Sequence, residues 1–228
     1  MARIDAVIFD LDGTLADSLG DIAEATNAVL AGYRLPSLPV ALFKSLVGEG
    51  AEVLLRRAVR AAQGRDWRLE SDELPDDIKV LLEGYRQAYE RVGHQHSTPY
   101  PGIEVMLDGV VKAGKKMAVL SNKRDEFTKH LVHRCFGRWP FVDIRGERDG
   151  VPRKPDPTAA LELAAALGAS PGHVAFVGDT PIDMRTANNA GMIPFGALWG
   201  FRSRAELEGA KARHLIERPE DLLPLLGE

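Results

Sequence analysis

The stretch that most constrains this chain is residues 7–15, a short apolar run followed at once by two acidic residues and a glycine. The run at 7–9 (Val-Ile-Phe) is typical of a strand buried in a parallel sheet. Because side chains alternate along a strand, the pattern predicts Asp10 and Asp12 on one side, with Cα atoms about 6–7 Å apart. Placing two carboxylates at the end of a buried strand is electrostatically unfavourable unless a cation lies between them. Mg²⁺ suits such a position because it prefers oxygen ligands. An acidic loop without a ligand is the alternative, but the Gly-Thr-Leu that follows favours a magnesium site.

Composition narrows the class of protein. The chain has 228 residues, 45% of them hydrophobic and 27% charged, which is typical of a globular protein of one large domain or one and a half. The net charge of −4 argues against a general nucleic-acid binder. The single cysteine excludes an internal disulfide framework and favours a reducing, cytoplasmic setting. We expect no membrane span, since no run of about 18 apolar residues exists, and no signal peptide, since a strand begins by Ile4.

Further strand patterns alternate with helical ones after residue 100. Apolar runs at 116–123, 141–144, 173–177 and 193–196 are separated by helical periodicities, and residues 219–226 indicate a closing helix. Strands that alternate with helices favour an α/β fold with a doubly wound, Rossmann-like parallel sheet. The order 3-2-1-4-5 would place the Asp10 strand between its partners. The polar residues at the strand ends would then converge at the topological switch point, where open sheets bind ligands.

Residues 19–95 differ from the rest because they contain helical patterns and no strand pattern. An all-helical stretch directly after the first strand indicates an inserted domain. We therefore expect a Rossmann-like catalytic core of residues 1–16 and 97–228, and a small all-helical cap domain of residues 17–96.

Three residues that could suggest other chemistry have ordinary interpretations. His94 and His96 form a His-x-His pair, but no third ligand lies near them in the sequence, so a solvated loop is favoured over a zinc site. Cys135 shares a helix face with Phe127 and Leu131, which predicts a core residue rather than a nucleophile.

Polar residues follow three of the later strands and turns. Ser121, at a strand end, could hold a phosphoryl oxygen or simply belong to a turn. Lys154 stands before a proline, where a surface lysine is the usual finding. Asp179 and Asp183 are four residues apart at the start of a predicted helix, which brings them to the same side. The residues alone leave the role of each open.

Taken together, these groups resemble the four motifs of the haloacid dehalogenase superfamily of phosphohydrolases, in the branch with a small helical cap. The resemblance covers residues 3–226, and it is carried by 10–15 (Asp-Leu-Asp-Gly-Thr-Leu), Ser121, the Lys-Pro-x-Pro at 154–157, and 178–183. It implies a phosphatase that forms an aspartyl-phosphate. It also implies a Mg²⁺ cofactor and a small phosphorylated metabolite as partner.

The resemblance also implies a role for each residue. Asp10 is expected to be the nucleophile, Asp12 the acid and base, and Lys154 the group that neutralises nucleophile and phosphate. The other expected roles are phosphate binding by Ser121, Asn122 and Lys154, metal binding by Asp10, Asp179 and the backbone carbonyl of Asp12, and orientation of Lys154 or metal-bound water by Asp183.

Substrate choice is carried by three loops. Residues 46–54, 100–103 and 121–123 together look most like phosphoglycolate phosphatases, which implies 2-phosphoglycolate as the substrate. Glu49, flanked by Gly48 and Gly50 between two helices, is expected to select the substrate, with a plain interhelical turn as the alternative.

Other functions stay open at this point. A pyrophosphatase, a sugar-phosphate phosphatase or a phosphoglucomutase of the same branch would carry similar motifs. Dehalogenases of this fold lack the second aspartate, so Asp12 counts against them, and a non-catalytic phosphate-binding protein would more often have lost Asp10, Asp12 or Lys154. No nucleic-acid or membrane partner is expected, and the chain is expected to be a monomer or a homodimer.

Overall fold

The computed structural model describes residues 3–68 and 78–227. The chain divides into two compact units: a sheet unit, Met1–Asp17 with Thr98–Glu228, and a helical unit, Ser18–Ser97. The predicted helix start at Asp76 lies outside the described residues.

Strands and helices are numbered in chain order. The strands are β1 (Ala6–Phe9), β2 (Ala16–Asp17), β3 (Thr98–Pro99), β4 (Lys116–Arg124), β5 (Phe141–Glu147), β6 (Val174–Gly178), β7 (Ile193–Ala197) and β8 (His214–Ile216). The helices are α1 (Leu19–Gly32), α2 (Val40–Leu46), α3 (Ala51–Ala62), α4 (Ile78–Val92), α5 (Ile103–Lys112), α6 (Asp125–Phe136), α7 (Thr158–Leu167), α8 (Pro181–Asn189) and α9 (Arg204–Gly209). Two short 3₁₀-helices cover Pro171–His173 and Pro219–Leu225.

The main sheet of the sheet unit has six strands in the order β5-β4-β1-β6-β7-β8, all paired in parallel. The predicted parallel sheet with flanking helices is confirmed. The five predicted strands are β1, β4, β5, β6 and β7, and they lie in the predicted order 3-2-1-4-5, with β1 between β4 and β6. The predicted count of five strands is wrong, because β8 adds an edge strand. Its three residues are too few to show a period of two, and charged residues surround them.

The predicted closing helix at 219–226 is present, and it is a 3₁₀-helix rather than an α-helix. Pro219–Leu225 forms a 3₁₀-helix with Pro224 inside it. Proline has no N–H to donate and its ring clashes with the preceding turn, so an α-helix cannot continue through this position without a break.

Alternate residues of the central strands pack into two cores, one on each face of the sheet. Val7 and Phe9 belong to one cluster, which includes buried residues of α5 and α6. Ala6 and Ile8 belong to the other, which includes buried residues of α7 and α8. Because β1 is covered on both faces, its run of apolar residues is continuous rather than alternating. Cys135 packs, partly buried, against the first cluster, which confirms its prediction as a core residue.

The helical unit contains α1, α2, α3 and α4, and no strand occurs within its described residues, 18–68 and 78–97. Buried Asp21 of α1 accepts hydrogen bonds from the Ser97 hydroxyl and, at 2.9 Å, from the His96 N–H. These bonds tie the returning chain to the first helix.

The histidine pair is where the prediction of a solvated loop is partly wrong. His94 is buried, and its Nδ1 lies 3.3 Å from the Tyr89 hydroxyl, with the two rings in an edge-to-face contact. His96 is exposed and lies 3.0 Å from Glu24. The sequence showed a polar segment, but a buried aromatic neighbour makes one of its histidines a core residue.

The helical unit is inserted in the chain between β2 and β3. These two strands pair in antiparallel fashion, Ala16 with Pro99 and Asp17 with Thr98. The two segments that connect the sheet unit to the insertion therefore leave it side by side. No helix in the described stretches of the chain is both long and apolar enough to cross a membrane.

Candidate active site

The site is built at the carboxyl end of β1. Asp10 directly follows this strand, and its N–H donates to the Val177 carbonyl of β6 at 2.9 Å. Because β4 and β6 flank β1 in parallel, their own ends bring Ser121 and Asn122 on one side, and Asp179 on the other, to the same edge of the sheet.

A tight turn follows β1, which ends at Phe9, the last residue of the predicted apolar run. The Leu11 carbonyl accepts hydrogen bonds from the N–H groups of Thr14, Leu15 and Ala16, and Gly13 has a φ of +89°. Asp10 and Asp12 therefore lie in a turn rather than on a strand. In this turn the Asp12 carboxylate pairs with Lys123, whereas the Asp10 carboxylate pairs with Lys154.

Lys154 is the centre of a buried ionic network. Its Nζ donates to Asp10 Oδ1 at 2.7 Å, to Asp183 Oδ1 at 2.7 Å and to the Leu120 carbonyl at 3.0 Å. Its side chain is only 3% exposed. The Asn122 side chain accepts from the Lys154 N–H at 3.0 Å and donates to the Lys154 carbonyl at 3.1 Å. The amide of Asn122 thus orients the lysine backbone.

Asp183 is fixed at the first turn of α8. The N–H and hydroxyl of Thr180 donate to its Oδ2 at 3.0 and 2.7 Å, while Oδ1 accepts from Lys154. Gly178 makes room for it, since a Cβ at that position would lie 2.3 Å from the Asp183 Cβ. A single helical turn brings Asp179 and Asp183 together, as the spacing of four predicts.

Asp179 is fully buried and has a donor on each oxygen. The Thr14 hydroxyl donates to Oδ1 at 3.2 Å, and the Phe201 N–H donates to Oδ2 at 2.7 Å. The sequence pattern identifies neither donor as a site residue. Thr14 lies inside the first motif and could have been found there, whereas a backbone amide such as that of Phe201 leaves no signature in the sequence.

Among the described residues, three carboxylates form a cluster that could hold a metal ion. Ligand oxygens of Asp10, Asp179 and Asp183 all lie within 4.8 Å of one another. The Lys154 ammonium contacts Asp10 and Asp183. When all three carboxylates are ionised, as metal binding requires, the cluster and this ammonium together carry two excess negative charges. An all-oxygen donor set with this charge suits a hard divalent cation.

The pKa values of the cluster reflect burial. Burial raises the pKa of Asp10 to about 7, against the opposing Lys154 ammonium and with help from the Asp183 carboxylate. Burial, Asp183 and Asp10 together raise the pKa of Asp179 well above its usual value. Burial alone would lower the pKa of Lys154, but the charges of Asp10 and Asp183 raise it. The lysine therefore stays charged, and the carboxylates crowd one another.

Asp12 and Lys123 form a second ion pair beside the cluster. Nζ of Lys123 donates to both carboxylate oxygens of Asp12, at 2.6 and 2.7 Å, and both side chains are mostly buried. The Lys123 N–H also donates to the hydroxyl of buried Ser121 at 3.2 Å. The sequence pattern places Lys123 only in a substrate loop and does not predict that it pairs with Asp12.

The loop of residues 48–50 belongs to the helical unit. Gly48 and Gly50 have φ values of +117° and +89°, which few other residues adopt readily. Glu49 Oε1 accepts from Arg57 Nη2 at 2.5 Å, and the Glu49 side chain is 38% exposed. Glu49 is therefore neither simply solvated nor deeply buried.

Known sequences resemble this chain over most of its length. Residues 4–191 match the family model described as haloacid dehalogenase-like hydrolase. A phosphoglycolate phosphatase of Pseudomonas putida is 31% identical over 223 residues, which span 96% of this chain and 78% of the relative. One from Pasteurella multocida is 30% identical over 229 residues, 99% of this chain and 100% of the relative.

A solved structure gives the same result in three dimensions. The crystal structure of a candidate phosphoglycolate phosphatase from Lactobacillus delbrueckii subsp. bulgaricus has a TM-score of 0.90 and 28% sequence identity, and the similarity covers 99% of this chain and 100% of that one. Similarity in fold thus extends over nearly the whole length of both chains.

Proposed function

The chain belongs to the haloacid dehalogenase-like hydrolases, and from that membership we propose that it hydrolyses 2-phosphoglycolate in a Mg²⁺-dependent reaction. It is a phosphoric monoester hydrolase, in keeping with its phosphoglycolate phosphatase relatives. The observation that carries the mechanism is the Lys154 ammonium, held 2.7 Å from Asp10 beside a buried acidic cluster.

The metal would be held by the carboxylates of Asp10 and Asp179 and by the backbone carbonyl of Asp12. When bound there, a divalent ion supplies positive charge that offsets the repulsion between Asp10 and the phosphate and helps to orient the phosphate. The all-oxygen donors of the cluster support this choice, as do the two excess negative charges that it carries when its carboxylates are ionised.

Asp10 is the proposed nucleophile. Its carboxylate oxygen attacks phosphorus, a new O–P bond forms, and the ester P–O bond breaks as the alkoxide leaves, which gives an aspartyl-phosphate. Water then attacks this phosphorus and releases inorganic phosphate and free Asp10. The Lys154 ammonium, in contact with Asp10, lowers the electrostatic cost of bringing an anion to a carboxylate.

Asp12 is the proposed acid and base. In the first step it gives a proton to the leaving alkoxide, and in the second it takes one from the attacking water. Acid–base help of this kind contributes about 10²–10⁴-fold to the rate. Its position in the turn beyond Asp10, off the acidic cluster, supports a role separate from that of the nucleophile.

Phosphate oxygens would be held by the Ser121 hydroxyl, by N–H groups at Asn122, by Lys154 and by the N-terminus of α8. Asp183 would act indirectly, since it contacts Lys154 Nζ and the N-terminus of the helix through Thr180.

Substrate selection is assigned to the helical unit, which would serve as a cap. Its insertion between paired β2 and β3 supports this assignment, and the resemblance of loops 46–54, 100–103 and 121–123 supports phosphoglycolate. Within the unit, the 48–50 loop with Glu49 is the proposed selectivity element.

One set of assays tests the function. The purified protein is incubated with Mg²⁺ and a panel of phosphoglycolate, sugar phosphates, pyrophosphate and p-nitrophenyl phosphate, with both phosphate release and phosphosugar isomers measured. Highest kcat/KM for phosphoglycolate supports the proposal, whereas preference for another ester, or isomerised sugar phosphate without phosphate release, contradicts it.

The intermediate is tested separately by acid quench during turnover of radiolabelled substrate. Label should remain on the wild-type protein and be absent from Asp10→Asn. Equal labelling of both proteins would contradict attack by Asp10.

A further inference from the structure

The loop of residues 199–201 (Trp199, Gly200 and Phe201) lies beside Asp179 within the sheet unit. It follows β7 and precedes α9. β7 pairs in parallel with β6, with Gly196 opposite Gly178, and Asp179 comes directly after that strand. The sequence pattern predicts the loop only as a turn near the carboxyl edge of the sheet.

Two hydrogen bonds connect the loop to the site. The Phe201 N–H donates to Asp179 Oδ2 at 2.7 Å. The indole N–H of Trp199 donates to the carbonyl of Thr14 at 2.9 Å, and the hydroxyl of the same Thr14 donates to Asp179 Oδ1 at 3.2 Å. A closed circuit of contacts therefore runs from Asp179 through Phe201, Trp199 and Thr14 back to Asp179.

Two glycines make this close approach achievable. A Cβ at Gly200 would lie 2.3 Å from the Asp179 Cβ and 2.5 Å from the Gly13 carbonyl oxygen. A Cβ at Gly13 would lie 2.3 Å from Asp179 Oδ2 and 2.7 Å from the Phe201 ring. The loop, the first-motif turn and the carboxylate thus pack without space for a single additional methyl group.

We propose that the 199–201 loop is a positioning element that holds the Asp179 carboxylate in orientation for a divalent metal ion at the acidic cluster. The inference rests on the proposed function in so far as that function places a metal at Asp179. With one protein donor on each oxygen, the remaining lone pairs of the carboxylate have a defined direction. Groups that orient a metal ligand in this way commonly change metal affinity by about 10–100-fold when they are removed.

The test is direct metal binding to the purified protein, with Mn²⁺ as the probe and the electron paramagnetic resonance signal of the free ion as the readout. Gly200→Ala forces the loop or Asp179 to move, so we expect its dissociation constant for Mn²⁺ to rise about tenfold or more. Trp199→Phe keeps an aromatic side chain but removes the hydrogen bond to the Thr14 carbonyl, so we expect the dissociation constant to rise about fivefold.

Two matched controls isolate the effect. Trp139→Phe removes an indole hydrogen bond of similar length, 2.8 Å to Asp108, and Gly209→Ala adds a methyl group where no heavy atom lies within 4 Å. Both should bind Mn²⁺ like the wild type. Circular dichroism in the absence of metal verifies that each variant is folded, and if Gly200→Ala does not fold, Trp199→Phe decides.

Folded loop variants with wild-type affinity for Mn²⁺ would overturn the proposal, as would an Asp179→Asn variant that binds Mn²⁺ as well as the wild type. Weakened binding in the loop variants and in Asp179→Asn, with wild-type binding in the two controls, supports it. Because binding is measured without substrate, a protein that turns out to lack phosphatase activity would contradict the proposed function and leave this inference standing.

Discussion

The sheet unit and the helical unit each contain a short ion pair, and burial makes the two pairs different. In the sheet unit, Lys154 lies 2.7 Å from both Asp10 and Asp183, with side chains 3%, 9% and 1% exposed. In the helical unit, Arg57 lies 2.5 Å from Glu49, with side chains 21% and 38% exposed. Similar distances therefore join charges in very different surroundings.

Desolvation explains what the difference means. An exposed pair contributes about 0–1 kcal/mol to stability, because water screens it and side-chain entropy opposes it. Removing one partner of a buried pair costs about 3–5 kcal/mol, because the other charge is left without compensation. A buried ionic network of this kind at a strand end is typical of functional sites. Distance alone is thus a poor guide to what an ion pair does.

The largest expected effect is that of Asp10→Asn. The amide cannot attack phosphorus, so phosphatase turnover should fall by at least about 10³-fold, while the isosteric side chain preserves the fold. Phosphate release under single-turnover and steady-state conditions measures it. A purified, folded variant that retains more than a few per cent of wild-type turnover would refute nucleophilic attack by this residue.

Lys154→Met should cost both activity and stability. It leaves Asp10 and Asp183 buried without their cation, so the free energy of unfolding without metal should fall by about 3–5 kcal/mol. Urea denaturation followed by circular dichroism measures the change. Lys116→Met is the control, since Lys116 donates to the Leu167 carbonyl and is partly exposed. An equal loss of unfolding free energy in both variants would show that the buried network contributes no more to stability than the contact of Lys116.

Metal removal should act through the sheet unit, because that unit holds the acidic cluster. Chelation with EDTA should abolish activity, Mg²⁺ should restore it, and Ca²⁺ should restore it poorly, because Ca²⁺ prefers more ligands at longer distances. Mg²⁺ at 100 times its dissociation constant should stabilise the folded protein by about 2.7 kcal/mol. The measurements are phosphate release and thermal unfolding.

Asp179→Ala provides the comparison for the metal experiment. This variant should need far more Mg²⁺ for activity and should show little thermal stabilisation by it. A wild-type metal response in the variant would remove Asp179 from the site.

Glu49→Ala should give the smallest effect, and a selective one. If Glu49 selects the substrate, kcat/KM for phosphoglycolate should fall about tenfold, which corresponds to about 1.4 kcal/mol of transition-state stabilisation. Turnover of p-nitrophenyl phosphate should change much less, and stability should change by less than about 1 kcal/mol.

Two variants distinguish selectivity from structure. Arg57→Ala removes the partner of Glu49, and Glu52→Ala breaks a neighbouring pair with Arg56 that is also 2.5 Å long. Equal losses for both substrates in Glu49→Ala, or the same selective loss in Glu52→Ala, would contradict a selective role for Glu49.

Regular elements and strand-end residues could be predicted well from local patterns. The apolar run of β1 predicted a buried central strand, and the spacing of Asp179 and Asp183 predicted that one helical turn joins them. The predictions failed where the local signal is short or ambiguous. β8 has three residues, and the pattern at 219–226 predicted a helix without specifying that it is a 3₁₀-helix.

Contacts between distant residues could not be predicted in this way. The pairs of Asp12 with Lys123 and of Asp179 with the Phe201 N–H join residues 111 and 22 positions apart. A backbone amide is present in nearly every residue, so its contacts leave no pattern in the sequence. A lysine beside a strand end can contact either water or a carboxylate, and its residue type does not distinguish the two. Only the packing of the turns decides which of these contacts forms.

The sequence by itself determined the parallel α/β architecture, the motif residues Asp10, Lys154 and Asp179, and the insertion that follows the first strand, because each depends on periodicity or on side-chain chemistry within a few residues. Tertiary structure alone decided which carboxylates share the cluster. The turn after β1 directs Asp12 to Lys123, and α8 places Asp183 on Lys154. Such choices depend on backbone direction at the strand ends, where a change in one turn sends the same side chain to a different partner.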